Sequence, residues 1–76
     1  MEVNVLLFGS LRERLGFTEK MLVFSDTQTL KDWLETEHSD LAQMNYLIAV
    51  NQELIRENQV LNAGDEVAVM PPFAGG

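Results

Sequence analysis

The stretch AGDEVAVMPPFAGG, Ala63–Gly76, decides the fold. It opens as a turn over residues 62–65, where Asn, Gly and Asp cluster. Glu66 to Met70 follows as a strand, with Val67 and Val69 on one face and Ala68 and Met70 on the other. Pro71 and Pro72 end that strand, because proline cannot donate to a ladder. Phe73, Ala74, Gly75 and Gly76 complete a thin tail that is shaped to enter something.

A strand that is apolar on both faces belongs inside a sheet, so the rest of the chain is read for its neighbours. Glu2 to Phe8 is a first strand, with Val3, Val5 and Leu7 on one face and Asn4, Leu6 and Phe8 on the other. In the segment GSLRERLG, Ser10 and Glu13 have capping-box spacing and Gly16 suits a helix stop, which predicts a short helix over 11–15. A second strand spans residues 19–24. The run SDTQTLKDWLETEHSDL is the main helix, with Asp26 as its N-cap. Leu30, Trp33, Leu34, Glu37 and Leu41 follow the helical period, so Leu30, Trp33 and Leu34 would cover the sheet. Lys31, Asp32, Glu35 and Glu37 would face water. Anchored in this way, Trp33 would cost about 3–5 kcal/mol if cut to alanine. An irregular segment covers residues 38–45, and YLIAVNQELI then forms two strands around a turn at 51–53.

The order strand, strand, helix, strand, short strand, strand predicts an α+β domain over 1–70, with one main helix packed across one mixed sheet and an extended tail over 71–76. The first and last strands can then lie side by side at the centre. That placement brings Leu6 and Phe8 beside Ala68 and Met70 on the face away from the helix, with Leu54 joining them. A contiguous apolar patch at the foot of a tail marks a partner site.

Composition narrows the function. Twelve acidic against five basic side chains, a net charge of −7, oppose nucleic acid and anionic membranes and favour a basic partner surface. No cysteine is present, which removes disulfides, CxxC zinc sites and thiol nucleophiles and favours a cytoplasmic setting. The single histidine, His38, suits a helix end better than catalysis. The close carboxylates Asp32, Glu35, Glu37 and Asp40 suit a solvated face better than a metal site, so no metal is expected. What remains is the terminus. A C-terminal carboxylate can be adenylated and then accept a sulfur nucleophile, provided that it reaches into another protein's active site. Glycines without Cβ make the tail thin, and the prolines hold its root extended. Six extended residues reach on the order of 20 Å.

Three segments, VLLFGSLRERLG, AVNQELI and AGDEVAVMPPFAGG, together resemble the small subunit of molybdopterin synthase, the MoaD-type sulfur carrier of the ubiquitin-like β-grasp group. The resemblance covers essentially the whole chain, and P-P-x-x-G-G is its most specific element. It implies a β-grasp fold and a tail whose reactive glycine is Gly76, with Gly75 before it. An E1-like enzyme would use ATP to adenylate Gly76, and sulfur would replace AMP to give a thiocarboxylate. No cofactor would be bound permanently. The charged tail would enter the large synthase subunit and donate sulfur to cyclic pyranopterin monophosphate, within a heterotetramer built on a central dimer of large subunits. The family's docking positions fall on Phe8, Leu54 and Met70, where methionine stands in place of the usual aromatic. Phe73 belongs with the partner-binding residues, and Arg12 matches a basic position used with the activating enzyme. The rival readings are a carrier for thiamine synthesis, a carrier for tRNA thiolation or protein conjugation, and a non-catalytic interaction module.

Overall fold

The computed structural model describes residues 1–72. Eight elements follow in chain order: β1 Glu2–Leu7, α1 Ser10–Leu15, β2 Glu19–Val23, α2 Thr27–Glu37, a 3₁₀ turn Ser39–Gln43, β3 Leu47–Val50, β4 Glu53–Leu54 and β5 Glu66–Met70. The five strands form one mixed sheet in the order β2-β1-β5-β3-β4. β1 and β5 run parallel and side by side, and the other three neighbouring pairs are antiparallel. With one main helix across it, this is the β-grasp arrangement.

The alternation in the strands decides what the sheet buries. Val3, Val5 and Leu7 of β1 and Val67 and Val69 of β5 point to the α2 side and are fully buried. They meet Leu30 and Leu34 of α2, together with Leu11, Leu41, Ile48 and Leu61, in one apolar cluster. Each of these side chains contributes roughly 1.5–3 kcal/mol by leaving water.

Helix α2 starts where its first four N–H groups find acceptors. Thr27 N–H donates to the Gln59 carbonyl at 2.9 Å, and Leu30 N–H donates to that of Asp26 at 3.3 Å. Gln28 N–H donates to Asn58 Oδ1 and Thr29 N–H to Asp26 Oδ1, each at 2.8 Å. The buried Thr27 hydroxyl donates to Asn58 Oδ1 and accepts from Gln59 N–H, so the segment after β4 fastens the helix start to the body.

Three details depart from the sequence reading. The α1 N-cap is Gly9, with no side-chain cap hydrogen bond, so the Ser10–Glu13 capping box does not form. Gly9 lies at φ 58° and ψ −139°, a backbone open in practice only to glycine, and this turns the chain sharply enough to make Ser10 the first helical residue. The Gly16 stop does form, left-handed and donating to the Arg12 carbonyl. Helix α2 ends at Glu37, and Leu41 reaches the core from the 3₁₀ turn, not from a continued helix. Trp33, Lys31 and Glu35 are each half-buried. Trp33 lies against the edge of the cluster, tilted 55° to Phe24 at 5.8 Å between ring centroids. Trp33→Ala should therefore cost about 2 kcal/mol in chemical denaturation, less than full burial would imply.

The β3–β4 hairpin closes in two residues, Asn51 and Gln52, both at positive φ (50° and 71°), as a type I′ turn requires. Asn51 is held there by its side chain, whose Oδ1 accepts from Glu66 N–H at 3.0 Å and whose Nδ2 donates to Asp65.

Candidate functional site

The face of the sheet away from α2 carries the residues that the core does not claim. Leu6 pairs with Ala68, Ala49 pairs with both Ala68 and Leu54, and Leu47 pairs with Met70. Ala68 and Ala49 lie opposite each other on the two adjacent strands β5 and β3. Two methyl side chains side by side leave a low floor between taller walls. Phe8, Leu54 and Met70 supply those walls, with Gln52 and Glu66 at the rim, around a groove of about 360 Å³. Phe8 is 48% exposed and Leu54 61%, whereas Met70 is half-buried. Phe8, Leu54, Ala68 and Met70 thus meet in one groove, as the strand alternation predicts. Ala49 joins them from β3, and its only signal in the sequence is its position two residues before the hairpin turn, on the same face as Leu54.

The groove lies at the root of the tail. Met70 is the last residue of β5, and Pro71 follows it. Gly9, one residue after Phe8, lies so close to the Pro71 ring that an added Cβ would come within 2.9 Å of its Cγ. Gly9 thus meets two demands: a positive-φ turn out of β1 and close approach of the proline that follows β5. Arg12 is exposed on α1, its Nε donating a long 3.4 Å bond to the Gly9 carbonyl. That places a cation beside the same turn. Its neighbour Arg14 is instead ion-paired with Asp40. Phe73, Gly75 and Gly76 lie outside the described residues.

Electrostatics away from the groove serve the fold. Hydrogen bonds from the Thr29 hydroxyl and the Thr29 and Asn58 nitrogens hold Asp26 below the usual carboxylate range. The Asn62 backbone and the Asn51 side chain do the same for Asp65. Burial first, then the Glu35 carboxylate that accepts its hydroxyl, pushes Tyr46 above the ordinary phenol value. A lowered folded-state carboxylate pKa contributes stability at pH values above the unfolded value. That contribution is lost as pH falls from about 4 through the folded pKa. Asp26→Asn keeps a capping oxygen but removes the charge. Its thermal midpoint should lie below that of the parent at pH 7 and converge with it between pH 4 and 2, as followed by circular dichroism.

Among the described residues no group of three or more His, Cys, Asp or Glu side chains could hold a metal ion. No helix among them is long and apolar enough to cross a membrane. The floor and walls of the groove offer apolar shape, with Gln52 and Glu66 as the polar groups at its rim.

Comparison with known proteins agrees with this geometry. The ThiS family model matches residues 5–76. A molybdopterin synthase sulfur carrier subunit from Chlamydomonas reinhardtii is 34% identical over the whole of both chains. Subunit 1 or 2 in the solved protein–protein complex of molybdopterin-converting factor from Helicobacter pylori superposes with a TM-score of 0.72 at 29% identity, covering all of both chains. Small archaeal modifier protein 1 from Methanosarcina acetivorans superposes with a TM-score of 0.80 at 25% identity, covering 99% of this chain and 96% of that one. The chain, a β-grasp domain by its own topology, belongs to the ThiS family.

Proposed function

We propose that this chain is the sulfur carrier subunit of molybdopterin synthase. The observation that carries the reading is the apolar groove of Phe8, Leu54 and Met70 at the root of the tail, on a chain that matches a sulfur carrier subunit over its whole length. In this reading the Gly76 carboxylate attacks the α-phosphorus of ATP within an E1-like enzyme, releasing pyrophosphate. A sulfur nucleophile then displaces AMP and leaves a thiocarboxylate. The groove docks on the large subunit, and the tail carries the thiocarboxylate to cyclic pyranopterin monophosphate. The thiocarboxylate sulfur bonds to carbon there as an oxygen leaving group departs from that carbon, and water then cleaves the acyl–sulfur bond, restoring the Gly76 carboxylate and leaving the sulfur on the pterin. Phe73 packs in the partner's entrance, Gly75 keeps the tail thin, and Arg12 faces the activating enzyme.

The test is intact mass spectrometry after incubation with ATP, an E1-like enzyme and a sulfur source. Exchange of one oxygen for sulfur at Gly76 is the expected result. No exchange, with an enzyme shown to charge another carrier, would overturn the reading for that pair. The likeness to an archaeal modifier protein favours a second reading, in which the activated terminus is joined to an amine. Adding the large subunit and pterin precursor separates the two, because only the carrier then returns to its starting mass.

A further inference from the structure

The edge of the sheet opposite β4 is strand β2, and among the described residues it pairs with β1 alone. Phe24 N–H donates to the Met1 carbonyl at 2.9 Å, and the Met1 amine donates to the Phe24 carbonyl at 3.0 Å. Leu7 N–H donates to the Thr18 carbonyl at 2.8 Å. Bonded and unbonded positions alternate along an antiparallel pair, so Thr18, Lys20, Leu22 and Phe24 turn their backbone groups toward β1. Glu19, Met21 and Val23 therefore turn theirs outward. Among the described residues, no group bonds to the N–H or C=O of these three.

The side chains leave that edge open. Natural sheets blunt a free edge with charge, proline or a bulge. β2 has no proline, and its register with β1 runs unbroken from Glu19 to Val23. Its two charges are both turned onto their own chain. The Glu19 carboxylate accepts from Asn4 Nδ2 on β1, and Lys20 Nζ lies 5.1 Å from the centre of the Phe17 ring. Met21, Leu22 and Val23 are left along the edge. Met21 is 50% and Val23 71% exposed, on the face away from α2. On the α2 face Leu22 is half-buried, as are Phe17 beside Lys20 and Trp33 beside Phe24.

We propose that β2 pairs antiparallel with β2 of a second copy of this chain, about a twofold axis at Met21. The choice of occupant rests on self-complementarity. The outward groups sit on Glu19, Met21 and Val23, a set symmetric about its middle member. An identical strand so placed sets Met21 against Met21 and, on either side, Glu19 against Val23, with both bonds made in each pair. On the α2 face it sets Lys20 against Leu22. No like charges then stand directly opposite each other. An axis at Lys20 would set two lysines face to face. An axis at Leu22 would set Glu19 against Ser25, whose carbonyl already accepts from Leu61 N–H. A twofold pair occupies this edge in both copies, so assembly stops at the dimer. The apolar groove is built on β3, β4, β5 and the end of β1, so it stays open in the pair. The inference stands independently of the sulfur-carrier reading.

A strand pair this short makes a small interface, so the dimer is weak, with Kd of roughly 0.1–1 mM. Two chains of net charge −7 repel, and salt screens that repulsion, so the dimer should strengthen between about 0.1 M and about 1 M salt. Sedimentation equilibrium of the full chain at both salt levels tests this. Amide shifts between dilute and concentrated samples should centre on Glu19, Met21 and Val23. Two variants of equal charge then locate the axis. Met21→Lys sets two cations face to face and should weaken the dimer about tenfold. Val23→Lys sets a cation against Glu19 of the second copy, at two places, and should strengthen it about three- to tenfold. Both positions are exposed, so the dilute variants should melt within about 4 °C of the parent. Three results would overturn the inference. One is a chain still monomeric at about 1 mM in about 1 M salt. Another is an equal effect of the two lysine substitutions. The third is β2 amides that shift on adding the large subunit of molybdopterin synthase but not with concentration.

Discussion

Deletion of Gly76, or its extension by one alanine, is expected to reduce sulfur transfer by at least about 10²-fold while leaving the thermal midpoint unchanged. The reason is positional. A reacting atom displaced by about 1 Å from its productive place costs rates of this order, and one extended residue moves the terminus by roughly 3.5 Å. Deletion and extension err in opposite directions and should be about equally damaging. The ladder ends at Met70, so neither change removes a strand hydrogen bond. Single-turnover transfer to the pterin precursor, with binding to the large subunit measured in parallel, checks this. Undiminished transfer by the shortened chain would make the protein an interaction module whose tail does no chemistry.

The second large effect is expected at the groove. Phe8→Asp should weaken binding to the large subunit by about 2–4 kcal/mol, roughly 30- to 1,000-fold in Kd, as loss of an aromatic anchor does. Stability should change little, because Phe8 is 48% exposed and faces away from α2. Titration calorimetry with the large subunit and a thermal melt of the free chain separate the two quantities. A collapsed melt would make Phe8 a structural residue, and undiminished binding would remove the groove from the interface.

Strands and face assignments were legible in the sequence because period-two alternation is a local signal. Val3, Val5 and Leu7 against Leu6 and Phe8 needed no tertiary information, and neither did Val67 and Val69 against Ala68 and Met70. Asp26 was equally legible, since an N-cap acts within three residues. The errors arose where a distant partner decided the outcome. The Ser10 cap failed because Gly9 takes a backbone that seats it against Pro71, more than sixty residues away. Trp33 follows the helical period but falls at the margin of the sheet, and periodicity does not show where a sheet ends. The groove floor was half legible. Ala68 lay on a recognised strand, whereas Ala49 gains meaning only when β3 is known to lie beside β5.

The placing of β5 also has a kinetic consequence. β1 with β2, and β3 with β4, are hairpins that can form from neighbouring sequence, but neither touches the other. β5 alone stitches them into one sheet, and it is among the last residues of the sequence. Until it inserts, each hairpin exposes an unsatisfied edge on its β1 or β3 side, a hazard for aggregation. Assembly must therefore wait for a loop of some sixty residues to close between Val5 and Val67, so this small protein should fold in milliseconds to seconds, not microseconds. The strand that completes the fold is also the one that ends at the foot of the tail. A chain still lacking its final strand has neither a finished groove nor a fixed point from which the tail could be aimed, and a half-folded carrier would offer its partners nothing to engage.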